Sequence, residues 1–149
     1  MNVELIAAFL DGSNSEQQEE AGKLLVELIS DPSVFQPMFE ILSNRSINLE
    51  IRKFVAVEMK QVIRNHFDML NSSPGEFFDN LLSIMSEETD LYIAENISNA
   101  IVPILYDYGE ELEVMVDFIN QACTSNIRNS YVIGTIFLTD FISTTKIAY

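Results

Sequence analysis

The chain of 149 residues has no tryptophan, one cysteine, one histidine, five glycines and four prolines. Each scarcity excludes something. Cys123 alone closes no intramolecular disulfide, which suits a reducing compartment, so cytoplasm and nucleus are the expected setting. His66 alone leaves too few ligands for a two-histidine metal motif or for a zinc site shared with Cys123. The glycines are scattered, with no G-x-G or G-K-[ST] setting, so neither a phosphate-cradling loop nor a cofactor is expected. Basic residues are few as well: 8 Lys and Arg face 23 Asp and Glu, a formal net charge of −15. Nucleic-acid binders draw affinity from clustered cations that release counterions, so nucleic acid is excluded as a partner and anionic membrane surfaces are disfavoured. No apolar run approaches the ~20 residues that span a bilayer. The N-terminus lacks the basic stretch and apolar run of a signal peptide.

What is present is apolar and helical. Hydrophobic residues make up 48 % of the chain, enough to close a core. Charge is uneven: residues 1–64 carry ten carboxylates and six cations, residues 65–149 thirteen carboxylates with only Arg128 and Lys146. A field of one sign serves solubility or steers a basic partner toward the second half. No Val/Ile/Thr run alternates with period two, and no Asn-Gly or Asp-Gly hairpin turn occurs. Turn residues cut the chain into predicted helices over about 2–10, 14–30, 33–43, 48–67, 75–85, 89–107, 110–123 and 126–146. Pro32 suits the first turn of the third.

Short and long helices alternate, and a weak repeat runs through the long ones. Ile51-Arg52 followed by Val55-Ala56 is its clearest copy, and Ile127-Arg128 followed by Tyr131 the second. Leu91-Tyr92 with Ala94 and Gln17-Gln18 with Ala21 are degenerate ones. From Gln18 to Arg52, Tyr92 and Arg128 the steps are 34, 40 and 36 residues. A two-helix unit of that size cannot bury its own apolar face, so neighbours must stack. The expected fold is all-α, a right-handed α-solenoid of about four HEAT-like hairpins. It forms one domain over 1–149, with repeats near 2–30, 33–67, 75–107 and 110–146; a globular bundle is the alternative. In the last helix Ile127, Tyr131, Gly134, Leu138 and Phe141 form the expected core stripe, with Ile133, Ile136 and Phe137 apolar on other sides. Such a helix expects burial on more than one face, hence a longer solenoid or an oligomer.

Catalytic constellations are missing. His66 would have to serve any Ser-His-Asp triad, yet its place near a helix end fits capping of helix carbonyls better. The pairs Glu87-Glu88 and Glu110-Glu111 are read at helix starts, where carboxylates meet the macrodipole. No enzyme activity is expected.

Helix faces say more. In 48–67 the core stripe is Ile51, Phe54, Val55, Met59, Val62 and Ile63. Opposite it Lys53, Val57, Lys60 and Arg64 share one face, with Gln61 alongside. This basic stripe is either a solvated face or a contact surface. In 89–107 Ala94, Ile97, Ile101, Ile104 and Leu105 are read inward, Glu95, Asn99, Val102 and Tyr106 outward, and Pro103 is expected to kink the helix.

Asp31-Pro32-Ser33, Phe39-Glu40-Ile41-Leu42 and Glu50-Ile51-Arg52 with Val55-Ala56-Val57-Glu58-Met59-Lys60-Gln61-Val62-Ile63-Arg64 together resemble the N-terminal domain of the importin-β (karyopherin-β) nuclear transport receptors. Ile93 to Ser98 is similar to the small-residue helix of the following repeat. Gln61 stands where the family often has Asn, and Phe67 where it often has Trp. The resemblance implies a carrier that binds cargo proteins and GTP-loaded Ran on a concave surface and passes the nuclear pore by weak contacts with Phe-Gly nucleoporins. It points to Lys60 and Gln61 as Ran contacts, with Arg64 one turn on; Lys53, Glu95 and Asn99 are added from helical geometry. A HEAT scaffold of a multiprotein complex that never meets a GTPase is the alternative function.

Overall fold

The computed structural model describes residues 1–66, 74–105, 111–124 and 128–147. Its helices are α1 (Val3–Leu10), α2 (Ser15–Ile29), α3 (Phe35–Ser43), α4 (Leu49–His66), α5 (Pro74–Glu87), α6 (Leu91–Leu105), α7 (Glu111–Thr124) and α8 (Arg128–Ile147). A 3₁₀ turn, Pro32–Val34, leads into α3. No strand occurs among the described residues. The protein is all-helical, and the chain divides into two compact units, Met1–Leu70 and Asn71–Tyr149.

Short polar side chains start the helices because the first backbone N–H groups of a helix have no internal acceptor. Asn2 Oδ1 accepts from the Leu5 N–H at 2.8 Å, and Asn14 Oδ1 from Glu16 and Gln17 at 3.1 and 3.2 Å. Asn48 Oδ1 accepts from Glu50 at 2.8 Å, and Asp90 from Tyr92 and Ile93 at 3.0 and 3.2 Å. Ahead of α6 the buried Glu88 carboxylate accepts from the Thr89 and Asp90 N–H groups. Glu87 is the last residue of α5 and Glu88 lies in the connection, so this pair does not open a helix as expected from sequence.

In the first unit α1 packs on α2, α3 on α4, and α1 also on α4. The core joins Ile6, Leu25, Met38, Ile41 and Leu42 to Ile51, Val55, Ala56, Met59, Val62 and Ile63 of α4, all buried. The two hairpins repeat one joint. The last turn of a helix leaves carbonyls without partners, and in each hairpin the second helix supplies the missing donor. Gln18 Nε2 donates to the Phe9 carbonyl at 3.0 Å. Arg52 donates to the Leu42 carbonyl through Nε at 3.2 Å and Nη2 at 2.9 Å. Phe9 and Leu42 are the penultimate residues of α1 and α3, and each donor stands four residues beyond its cap, Asn14 or Asn48. The 34-residue step from Gln18 to Arg52 is therefore a structural equivalence. The same count from Asp90 reaches Ala94, not Tyr92, and alanine carries no donor.

In the second unit α6 and α7 both lie on α8, and α5 touches α6, α7 and α8. Leu81, Met85, Ile93, Ala94, Ile97, Ile101 and Phe137 are fully buried. Ser98, also fully buried, donates to Asp140 Oδ2 at 2.6 Å across the α6–α8 contact. Two expected faces are corrected. Val102 is buried rather than outward, because Ile101 and Val102 both turn into the core. On α8 Ile133, Gly134 and Phe137 face the core, whereas Leu138 is 37 % exposed and Ile136 half-buried. The phase is set by Gly134: a Cβ there would lie 2.7 Å from the Ala122 Cβ and 3.0 Å from the Cys123 nitrogen, so α7 crosses α8 at the glycine. Ile127 and Tyr106 lie outside the described residues, as do the side chains of Pro103, Ile104, Leu105, Tyr131 and Phe141. The expected kink at Pro103 falls with them.

These distances separate two glycines. Gly134→Ala forces a methyl against another helix's backbone and should lower the unfolding free energy by about 1–3 kcal/mol. At Gly22 a Cβ would meet only the Phe9 ring, 3.2 Å away, a half-buried side chain able to shift. Alanine there gains helix propensity of about 0.5–1 kcal/mol, so Gly22→Ala should be neutral or stabilising. Urea unfolding followed by circular dichroism checks both.

Candidate protein-docking surface on the first unit

Helix α4 has two accessible faces, and the buried stripe decides which they are. With Arg52, Val55, Ala56, Met59, Val62 and Ile63 turned in, positions 53, 57, 60 and 64 turn out. Val57 and Arg64 are exposed, and Lys53 and Lys60 half-buried. Lys53 Nζ pairs with Glu50 Oε1 at 3.2 Å within its own helix. Lys60 and Arg64 make no ion pair among the described residues. Gln61 is exposed, with Nε2 3.5 Å from Asn65 Oδ1. Of the six residues proposed from sequence, these four belong to the first unit. Glu95, exposed, and Asn99, half-buried, stand one turn apart on α6 in the second.

The adjoining face of α4 was missed from sequence. Phe54, expected in the core, is only half-buried. Its ring meets Phe9 of α1 with centroids 5.5 Å apart and planes at 52°. Together with Gly22, Leu25, Val26 and Ile29 of α2 these rings line a groove of about 500 Å³. Glu19 and Lys23 stand at its edge, paired at 2.6 Å. Glu58, one turn beyond Phe54, also lines it, half-buried, and burial pushes its carboxyl above the usual glutamate range. Among the described residues no cation or hydrogen-bond donor compensates it. The signal available in sequence was a glutamate in register with a phenylalanine beside the core stripe.

His66 closes α4. Its Nε2 is buried with no hydrogen-bond partner among the described residues, so carbonyl capping by this atom is not observed there. The Asp31 carboxyl is held below its usual range first by the Ser33 N–H, donating at 2.8 Å, then by the Ser33 hydroxyl, with His66 the smallest contributor. Among the described residues no group of three His, Cys, Asp or Glu could hold a metal, and no helix is long and apolar enough to cross a membrane. Comparison with protein-family models, curated proteins and solved structures finds no match to this chain.

The groove carboxylate has a thermodynamic signature. A glutamate whose pKa is raised by folding stabilises the fold below its unfolded pKa, and that contribution is lost as pH rises through the folded value. Glu58→Gln removes this dependence. The variant should therefore gain stability relative to wild type as pH climbs from the ordinary glutamate pKa, 4.5, toward neutrality. Asp11 and Asp31, whose pKa values are lowered, act in the opposite sense but equally in both proteins. Thermal melts across this range measure the difference.

Proposed function

We propose that this chain is a protein-binding α-solenoid of HEAT-like hairpins belonging to a nuclear transport receptor of the importin-β type, and that α4 grips Ran in its GTP form. The observation that carries the reading is the outer face of α4. In a chain of net charge −15, Lys60 and Arg64 project one turn apart with no ion pair among the described residues. The opposite face of the same helix is held in the core. Cations left without internal partners cost little in water and become useful only when an acidic surface arrives, where they set approach rate and specificity. Gln61 adds a neutral donor beside them, and Lys53, already engaged by Glu50, contributes at the edge.

The solenoid rests on the repeated joint of the first two hairpins, Gln18 to Phe9 and Arg52 to Leu42, since units joined alike can stack alike. Glu95 and Asn99, on α6 of the second unit, are proposed as further Ran contacts. Cargo proteins and Phe-Gly nucleoporins would be engaged by a complete receptor in cytoplasm and nucleus, without cofactor, nucleic acid or membrane.

Retention of the chain on immobilised Ran tests this. The GTP form should capture it and the GDP form should not. Reversing charge with Lys60→Glu and Arg64→Glu should weaken GTP-dependent capture about tenfold or more while leaving the helical signal intact. Equal capture by both nucleotide states, or by neither, would favour a scaffold that does not meet the GTPase.

A further inference from the structure

We propose that the apolar groove between α2 and α4 is a docking site for an amphipathic helix of a partner protein. That helix would bury an aliphatic or aromatic side chain against Phe9 and Phe54 and set a Lys or Arg, one turn away, on the Glu58 carboxylate.

Shape and chemistry both select this occupant. The α2 positions that line the groove are 19, 22, 23, 25, 26 and 29, a stretch of about three turns running about 15 Å, which is the footprint of a short helix laid alongside. Val26 on its wall is 68 % exposed, far more than an aliphatic side chain on an inward stripe needs. Gly22 leaves the floor open down to the Phe9 ring. At about 500 Å³ the space takes anchoring side chains rather than a film of solvent.

Charge narrows the choice further. Glu19 and Lys23 neutralise each other at the rim, so Glu58 is the uncompensated charge of the groove. A carboxylate half-withdrawn from water without a partner is unfavourable in the free protein, and an incoming cation converts that cost into affinity. An acidic segment would add repulsion instead. A second copy of this chain, itself at −15, is opposed by the same long-range field. The groove lies on a different face of α4 from Lys60 and Arg64, so the inference does not depend on the Ran reading.

The experiment uses fluorescence anisotropy of the full chain with three labelled 14-residue helical peptides of designed sequence. One carries a leucine stripe with lysine one turn on, a second replaces the lysines with glutamate, and a third replaces the leucines with serine. The leucine–lysine peptide should bind, and the other two about tenfold more weakly or worse. Glu58→Gln should weaken the first peptide about tenfold, and Val26→Glu, at an exposed position, should abolish its binding. Glu113→Gln, exposed in the second unit, should change nothing. Circular dichroism establishes that each variant is folded. No binding of the first peptide, retention by either groove variant, or an equal loss in Glu113→Gln overturns the proposal.

Discussion

A helix whose own closing residues satisfy only part of its last turn leaves a carbonyl facing a low-dielectric interior, and α3 is such a helix. Asn44 N–H returns to the Glu40 carbonyl at 3.2 Å and the Ser43 hydroxyl to Phe39 at 2.7 Å, while the Leu42 oxygen is left for the next helix. Helix α3 has no basic residue in its last turn, and no residue of the described backbone takes the left-handed conformation that usually closes a helix. The Arg52 guanidinium fills that role from the next helix, 4 % exposed, with two N–H groups on the Leu42 oxygen. A buried cation is tolerable only when its donors are used, and charge-assisted bonds to a helix C-terminus use them well. The consequence reaches along α4. Once residue 52 points inward, the helical period sends 55, 56, 59, 62 and 63 inward with it. Gln18 makes the neutral, weaker form of the same joint at the end of α1.

Fixing the rotation of α4 fixes two neighbouring faces with opposite characters. One carries Lys60 and Arg64 into solvent. The other carries Phe54 and Glu58 to the groove beside α2. A strongly acidic chain thus holds free positive charge on one strip of one helix, and on the adjacent strip an apolar recess with a negative charge short of water. The two proposals made for this protein rest on these two strips, one for each.

Much of the helical content was legible because turn residues separate the apolar segments and because α4 keeps a regular apolar spacing. The caps at Asn2, Asn14, Asn48 and Asp90 emerge only in the structure, where each side chain accepts from N–H groups at the start of its helix. The rest of what was not legible is long-range. Arg52 looked like a member of a repeat pattern, and only the position of the Leu42 carbonyl reveals that its charge is spent internally. The phase of α8 could not be read because the helix is apolar on several sides. Packing against Ala122 and Cys123 at Gly134 chose Ile133 and Phe137 over Leu138. The groove was hidden because Phe9 and Phe54 are 45 positions apart in sequence yet meet at 5.5 Å.

The most direct measurement is the unfolding free energy of Arg52→Met, a substitution that keeps length and apolar bulk but removes every donor. If the guanidinium holds α4 against α3, the variant loses about 1–3 kcal/mol in chemical denaturation, the cost of leaving a buried acceptor unmatched. An unchanged or raised stability would contradict the dependence of the first unit on that joint.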